Sequence, residues 1–187
     1  MLQRFCIIML KLLGWSIEGE YPHKHKKALL VCAPHTSNWD FPIGILIRGA
    51  AKSKCTFIAK NSLFKPPFGF IFRWLNGIPV DRSKRNNFVD QIIEQYNNRE
   101  NLHIIITPEG MRKKAKRFKS GFYHIVEGAN IPLIPAIFDW DKKEMIFESA
   151  FEITGDRKAD IKRLLELFIE KGVAYSPQDG ISLEMEY

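Results

Sequence analysis

Hydrophobic positions recur along this chain in two rhythms, short unbroken runs and helical spacings of three and four, and the two alternate. Ala28-Leu29-Leu30-Val31-Cys32, Cys55-Thr56-Phe57-Ile58-Ala59, Gly77-Ile78-Pro79-Val80, Leu102-His103-Ile104-Ile105-Ile106-Thr107 and Ile131-Pro132-Leu133-Ile134-Pro135-Ala136-Ile137-Phe138 are such runs. Most are rich in β-branched residues and bounded by polar or turn-forming ones, which predicts buried strands. The run ending at Thr107 is nearly all apolar and is expected at the centre of a sheet. Between the runs, Asn86 to Asn98, Gly121 to Ala129 and Asp156 to Lys171 carry helical spacing; in the last, Ile161, Leu164, Leu165 and Phe168 make one apolar stripe among charges. Met145-Ile146-Phe147-Glu148 and Phe151-Glu152-Ile153 read as edge strands. This alternation implies one α/β domain, a mostly parallel central sheet flanked by helices.

Two apolar stretches stand outside the alternation. Leu2 to Trp15 is dominated by Leu, Ile, Met, Phe and Trp, yet falls short of the roughly 20 residues of a membrane-spanning helix. Arg4 and Lys11 project on one side of such a helix, while Phe5, Met9, Leu12, Leu13 and Trp15 cover much of the rest. Two readings fit: an amphipathic helix lying in the headgroup plane, or one packed on the domain. No small-residue cleavage site follows, so the segment reads as retained. Ser62 to Leu75, with four Phe and a Trp, is expected to pack in the core; a wall for an acyl chain or an edge inserted in a bilayer is the alternative.

Composition narrows the partners. The 28 Lys+Arg against 21 Asp+Glu leave +7, with a pI near 9.3, which favours anionic partners: nucleic acid, a membrane surface or a phosphate-bearing substrate. Cys6, Cys32 and Cys55 are odd in number and widely spaced, so no disulfide framework or zinc site is expected, and a reducing compartment fits. No His-x-x-x-His or similar grouping is present, and no metal is expected.

The candidate chemistry lies at the ends of the runs, where ligands collect in sheets of this kind. Pro34 closes the first run, and the polar stretch beyond it holds His35 and Asp40. Ser37 or Asn38 is placed to cap a helix whose first turn contains Asp40. A loop imidazole and a carboxylate on the next turn can meet; the carboxylate then fixes the tautomer, and the other ring nitrogen takes a proton from a hydroxyl. The same pair also fits a capped loop with a structural histidine. No Gly-x-Ser-x-Gly elbow occurs in the sequence, so the hydroxyl to be activated would belong to a substrate. Lys60, Asp81-Arg82 and Pro108-Glu109-Gly110-Met111-Arg112 come after the next strands. Arg82 and Arg112 offer planar forks suited to a phosphate monoester, and Lys60 a point charge. Glu109 would hold one of those arginines or accept from a substrate hydroxyl. Arg112 to Lys119 carries six cations and no acid, either a solvated face or a contact for headgroups or nucleotide phosphates.

In order, these pieces resemble the glycerolipid acyltransferase family, which includes the lysophosphatidic acid acyltransferases. His35-x-x-x-x-Asp40 resembles its first motif, Phe57-Ile58-Ala59-Lys60 with Gly77-Ile78-Pro79-Val80-Asp81-Arg82 its second, Pro108-Glu109-Gly110-Met111-Arg112 its third, and Ile131-Pro132-Leu133-Ile134-Pro135-Ala136 its fourth. The resemblance implies fatty acyl transfer in phospholipid biosynthesis, from an acyl-CoA or acyl carrier protein thioester to the hydroxyl of a phosphate-bearing lipid such as 1-acylglycerol 3-phosphate. His35 would be the general base and Asp40 its orienter. Lys60, Arg82, Glu109, Gly110 and Arg112 would bind the acceptor. No cofactor is implied, since the acyl thioester is a substrate. Residues 1–20 would be a membrane-associating helix and 21–187 the acyltransferase domain, placed peripherally or monotopically on the cytoplasmic face of the cell membrane. The implied partners are the thioester carrier, a lysophospholipid-type acceptor and an anionic membrane surface, with no nucleic acid. Pro34 stands where many members have Asn, and Met111 and Lys113 replace common hydroxyl residues, which bears on the acceptor more than on the reaction. A thioester hydrolase on the same site, or a non-enzymatic binder of anionic lipid or nucleic acid, are the rival readings.

Overall fold

The computed structural model describes residues 1–35, 37–81, 87–109 and 118–171. Its elements run Leu2–Leu12 (α1), Ser16–Glu18 (β1), Lys27–Ala33 (β2), Asp40–Ala50 (α2), Thr56–Lys60 (β3) and a 3-10 turn at Asn61–Phe64. Then come Gly69–Trp74 (α3), Gly77–Val80 (β4), Asn87–Asn97 (α4), Leu102–Ile106 (β5), Gly121–Ala129 (α5), Leu133–Asp139 (β6), Glu144–Phe147 (β7) and Arg157–Glu170 (α6).

One seven-stranded sheet, in the order β1-β7-β6-β2-β5-β3-β4, carries the fold. It is parallel from β6 through β4, and β7 runs antiparallel to β6. The middle place belongs to β2, and β5 lies beside it. Alternation along β2 sends Leu29, Val31 and Ala33 to one face and Ala28, Leu30 and Cys32 to the other. The first face is covered by α4, α5 and α6 through Ile92, Tyr96, Phe122, Ile125, Ile161, Leu165 and Phe168. On the second, α1 and α2 contribute Cys6, Leu10, Ile43, Ile47 and Ala50. A strand buried on both faces must be apolar at every position, which is why the β2 run shows no polar alternation.

Three expectations change. The segment Met145 to Glu148 is not an edge: β7 pairs on both sides, and the edge is the short strand β1. Phe151 makes only an isolated bridge to Leu133. Ser62 to Leu75 does not enter the core as a unit. Phe64 is buried, but Leu63, Phe68, Phe70, Ile71 and Trp74 are exposed, because the segment folds as two short helical pieces on the sheet's margin rather than one helix across its face. The N-cap position of α2 falls on Trp39 and not on Ser37 or Asn38. The first residue of the helix is Asp40 and Trp39 precedes it without a capping bond, while the Ser37 hydroxyl accepts from the Trp39 N–H at 3.1 Å.

The amino-terminal helix packs on the domain along one face and leaves the other exposed. Cys6 and Leu10 pack on the domain, while Leu2, Phe5, Ile8 and Leu12 face outward. Among the described residues no helix is long and apolar enough to cross a membrane.

Candidate active site

Because β6, β2, β5, β3 and β4 are parallel, their carboxyl ends share one rim. His35 lies just beyond β2, Lys60 ends β3, Asp81 comes after β4, Glu109 after β5 and Trp140 after β6. The centre of the rim is the meeting of His35 and Asp40. His35 Nδ1 lies 2.6 Å from Asp40 Oδ2, with the imidazole about one fifth exposed and the carboxylate buried. A neutral imidazole with Nδ1–H donating to a carboxylate keeps its basic lone pair on Nε2, so the geometry selects the tautomer able to accept a proton there.

Asp40 is held from several sides. Oδ2 also accepts from the Ser37 backbone N–H at 3.2 Å, and Oδ1 accepts from the Trp140 indole N–H at 2.7 Å. Its place in the first turn of α2 sets the anion at the positive end of the helix dipole. Burial of a carboxylate is tolerated because each oxygen has a donor.

Glu109 is the second buried carboxyl. Its Oε2 accepts from the His35 backbone N–H at 3.0 Å, which ties the β5 exit to the loop after β2. Oε1 is buried and takes no hydrogen bond among the described residues. Burial pushes this carboxyl up to about 7; the His35 N–H and imidazole oppose the rise, and the Asp40 charge adds to it. Cys32, at the end of β2, is no competing nucleophile. Burial, then the charges of Asp40 and Glu109, push its thiol far above the ordinary range and keep it protonated.

The structure thus brings together His35, Asp40 and Glu109, and places Lys60 on the same rim, exposed at the end of its strand. Arg82, Gly110 and Arg112, together with most of the basic run that begins at Arg112, lie outside the described residues. The remaining histidines are elsewhere: His103 bonds the Tyr21 hydroxyl and the His25 carbonyl, and His23 reaches the Ala51 carbonyl. Trp140 is the participant that sequence reasoning missed. Its signal was available, since Trp140, like Lys60 and Glu109, stands at the carboxyl end of an apolar run, here the one closing with Phe138.

Aromatic side chains lead away from the rim. Phe41 of α2 meets Phe57 of β3 edge-on at 5.3 Å, and Phe64 lies 5.8 Å from Phe72 of α3. Gly77 lets Phe57 and Phe64 close over the start of β4, where a Cβ would fall within 3.0 Å of both rings.

A family model described as acyltransferase matches residues 15–139. The chain is 31% identical over 127 residues to a 1-acyl-sn-glycerol-3-phosphate acyltransferase of Cocos nucifera, an alignment covering 65% of this chain and 40% of that protein. It therefore spans about two fifths of that relative's length. Among solved structures, the 1-acyl-sn-glycerophosphate (LPA) acyltransferase PlsC of Thermotoga maritima superposes with a TM-score of 0.61 at 19% identity, over 92% of this chain and 76% of that one. At that identity the likeness concerns the fold, a single α/β domain built on a mostly parallel sheet.

Proposed function

This chain belongs to the acyltransferase family, and on that premise we propose that it moves a fatty acyl group from an acyl-CoA or acyl carrier protein thioester to the hydroxyl of a phosphate-bearing lipid such as 1-acylglycerol 3-phosphate. The observation that carries this reading is the His35–Asp40 contact at 2.6 Å on the shared rim of parallel strands. His35 Nε2 takes the proton of the acceptor hydroxyl as its oxygen attacks the thioester carbonyl. Collapse of the tetrahedral adduct breaks the carbon–sulfur bond, and the imidazolium returns the proton to the departing thiolate. Asp40 steadies the imidazolium between these steps. Transfer written this way consumes and releases no electrons and needs no group beyond the two substrates.

Glu109 holds the His35 loop through Oε2, and its Oε1 is available to an acceptor hydroxyl or to an arginine of the acceptor site. Lys60, Arg82, Gly110 and Arg112 complete the phosphate site in this reading. The aromatic series from Phe41 to Phe72 offers an apolar wall for the acyl chain.

The same reading places the protein peripherally on the cytoplasmic membrane face, with residues 1–20 associating with lipid and 21–187 forming the acyltransferase domain. Exposed Leu2, Phe5, Ile8 and Leu12 on α1, with Phe68, Phe70 and Trp74 around α3, support it, as does the positive net charge.

Thiol release from a long-chain acyl-CoA, measured with and without lysophosphatidate, tests the function. Release only with acceptor supports transfer, and release without it supports hydrolysis. His35→Ala is expected to lower the rate about 10²- to 10⁴-fold, the usual worth of a positioned general base. No release with any acyl thioester or acceptor, together with unchanged behaviour of His35→Ala and salt-sensitive RNA or vesicle binding, would replace the enzyme with a binder.

A further inference from the structure

Trp140, whose indole N–H meets Asp40, lies outside the motifs that carry the family resemblance. Asp40 has two carboxylate oxygens with separate partners: Oδ2 meets His35 Nδ1 at 2.6 Å and the Ser37 N–H at 3.2 Å, and Oδ1 meets Trp140 Nε1 at 2.7 Å. A carboxylate gripped on one oxygen alone can turn about its last side-chain bond and carry that oxygen off the imidazole. Grip on both oxygens from different elements sets the carboxylate plane, and with it the ring.

Trp140 is itself held. It stands at the start of the β6–β7 turn, where Asp139 Oδ1 accepts the N–H groups of Asp141 at 3.0 Å and Lys142 at 2.9 Å. Lys143 closes that turn at φ 54°, in the left-handed region. The indole meets Trp15 edge-on at 5.0 Å and stacks with Phe138 at 5.9 Å. A buried aspartate shapes the turn and two aromatic rings fix the indole's tilt, so the N–H arrives at Oδ1 with little freedom to lose.

We propose that Trp140 is a positioning residue for the His35–Asp40 pair: its indole N–H fixes the Asp40 carboxylate so that Oδ2 aligns the imidazole for proton transfer. The proposal rests on the acyl-transfer reading for its kinetic consequence and on the geometry alone for its spectroscopic one. Trp140 does not touch the reacting atoms; it acts through Asp40.

Trp140→Phe keeps a ring against Trp15 and Phe138 and deletes the donor. Loss of one hydrogen bond to a buried charged group corresponds to about a 10- to 100-fold change. The expected result is a fall in kcat of that size, with KM for both substrates within about twofold. In histidine-labelled protein the low-field Nδ1–H resonance of His35 should move upfield or broaden. A β-(3-benzothienyl)alanine at position 140, which puts sulfur where the N–H was and keeps the indole's outline, should repeat both effects and separates donor loss from ring loss where the Phe variant folds poorly. An unmoved His35 resonance in the benzothienyl protein overturns the proposal whatever happens to kcat, because the ring would then serve packing alone. If the unmodified protein transfers no acyl group, the functional reading fails, and the resonance comparison still decides the role of Trp140.

Discussion

At the scale of single residues, the rim of the sheet joins two buried carboxyls to one histidine, Asp40 at its ring and Glu109 at its backbone N–H, and their surroundings set them apart. Asp40 has donors on both oxygens, whereas Glu109 has one oxygen on the His35 N–H and one without a donor among the described residues. Burial therefore raises Glu109 to about 7 from an ordinary 4.5. A carboxyl raised by folding stabilises the native state fully below its unfolded value and loses that contribution as pH climbs through its folded one. The window is thus pH 4.5 to about 7, and at about 1.4 kcal/mol per pH unit the loss approaches 3 kcal/mol. Glu109→Gln keeps an acceptor for His35 N–H and has nothing to ionise. Urea unfolding across that window should show the unmodified protein losing stability relative to this variant, and parallel pH profiles would remove the burial argument. The pair His35 and Asp40 was legible in the sequence because its five-residue spacing spans a strand exit and the first helical turn. Trp140 was not legible as a partner, since 100 residues separate it from Asp40 and only the parallel pairing of β6 with β2 brings them together.

At the scale of elements, α1 and α6 dock by different physics. α1 lies against α2 at Gly49, where a Cβ would stand 2.4 Å from Cys6 Sγ. Gly49→Leu should lift α1 and speed tryptic cleavage at Arg4 and Lys11, with the rest of the domain still resistant. Equal protection in the variant would show that the helix tolerates a wider crossing. α6 docks through apolar packing and one buried carboxylate. Asp160 accepts from the Tyr123 hydroxyl at 2.9 Å, the Thr154 N–H at 2.7 Å, the Thr154 hydroxyl at 3.0 Å and Arg163 at 2.6 Å. Asp160→Ala should cost about 2 to 4 kcal/mol in chemical denaturation, between the cost of one stranded buried donor and that of a broken buried ion pair. The bounds of α4, α5 and α6 were readable within a residue, and Asp156 serves as the N-cap of α6, accepting from Lys158 and Ala159. The piece from Ser62 to Leu75 was misread. Its apolar content fits a core helix, but Pro66 and Pro67 interrupt it, and it folds as a 3-10 turn followed by the short helix α3.

At the scale of the whole molecule, the exposed apolar side chains of α1 and α3 and the +7 charge together lead us to expect anionic vesicle binding that weakens with salt, as the screening length falls from about 10 Å at 0.1 M to about 3 Å at 1 M. Phe70→Glu with Trp74→Glu should lower vesicle flotation about tenfold or more, given about 1.5–3 kcal/mol for each large apolar side chain taken out of water. Flotation unchanged by both the substitutions and the salt would argue against a lipid-facing surface. Sequence by itself determined most of the strands and the helices α4 to α6, the α/β class and the candidacy of His35 and Asp40 as a pair, because hydrophobic periodicity and short-range spacing are local properties that the chain carries whatever it packs against. Strand order, the edge role of β1, the outward placement of α3 and the Trp140 contact were decided only in three dimensions. Each depends on which segments lie side by side, a choice made by burial summed over the whole sheet and not by any one stretch of residues.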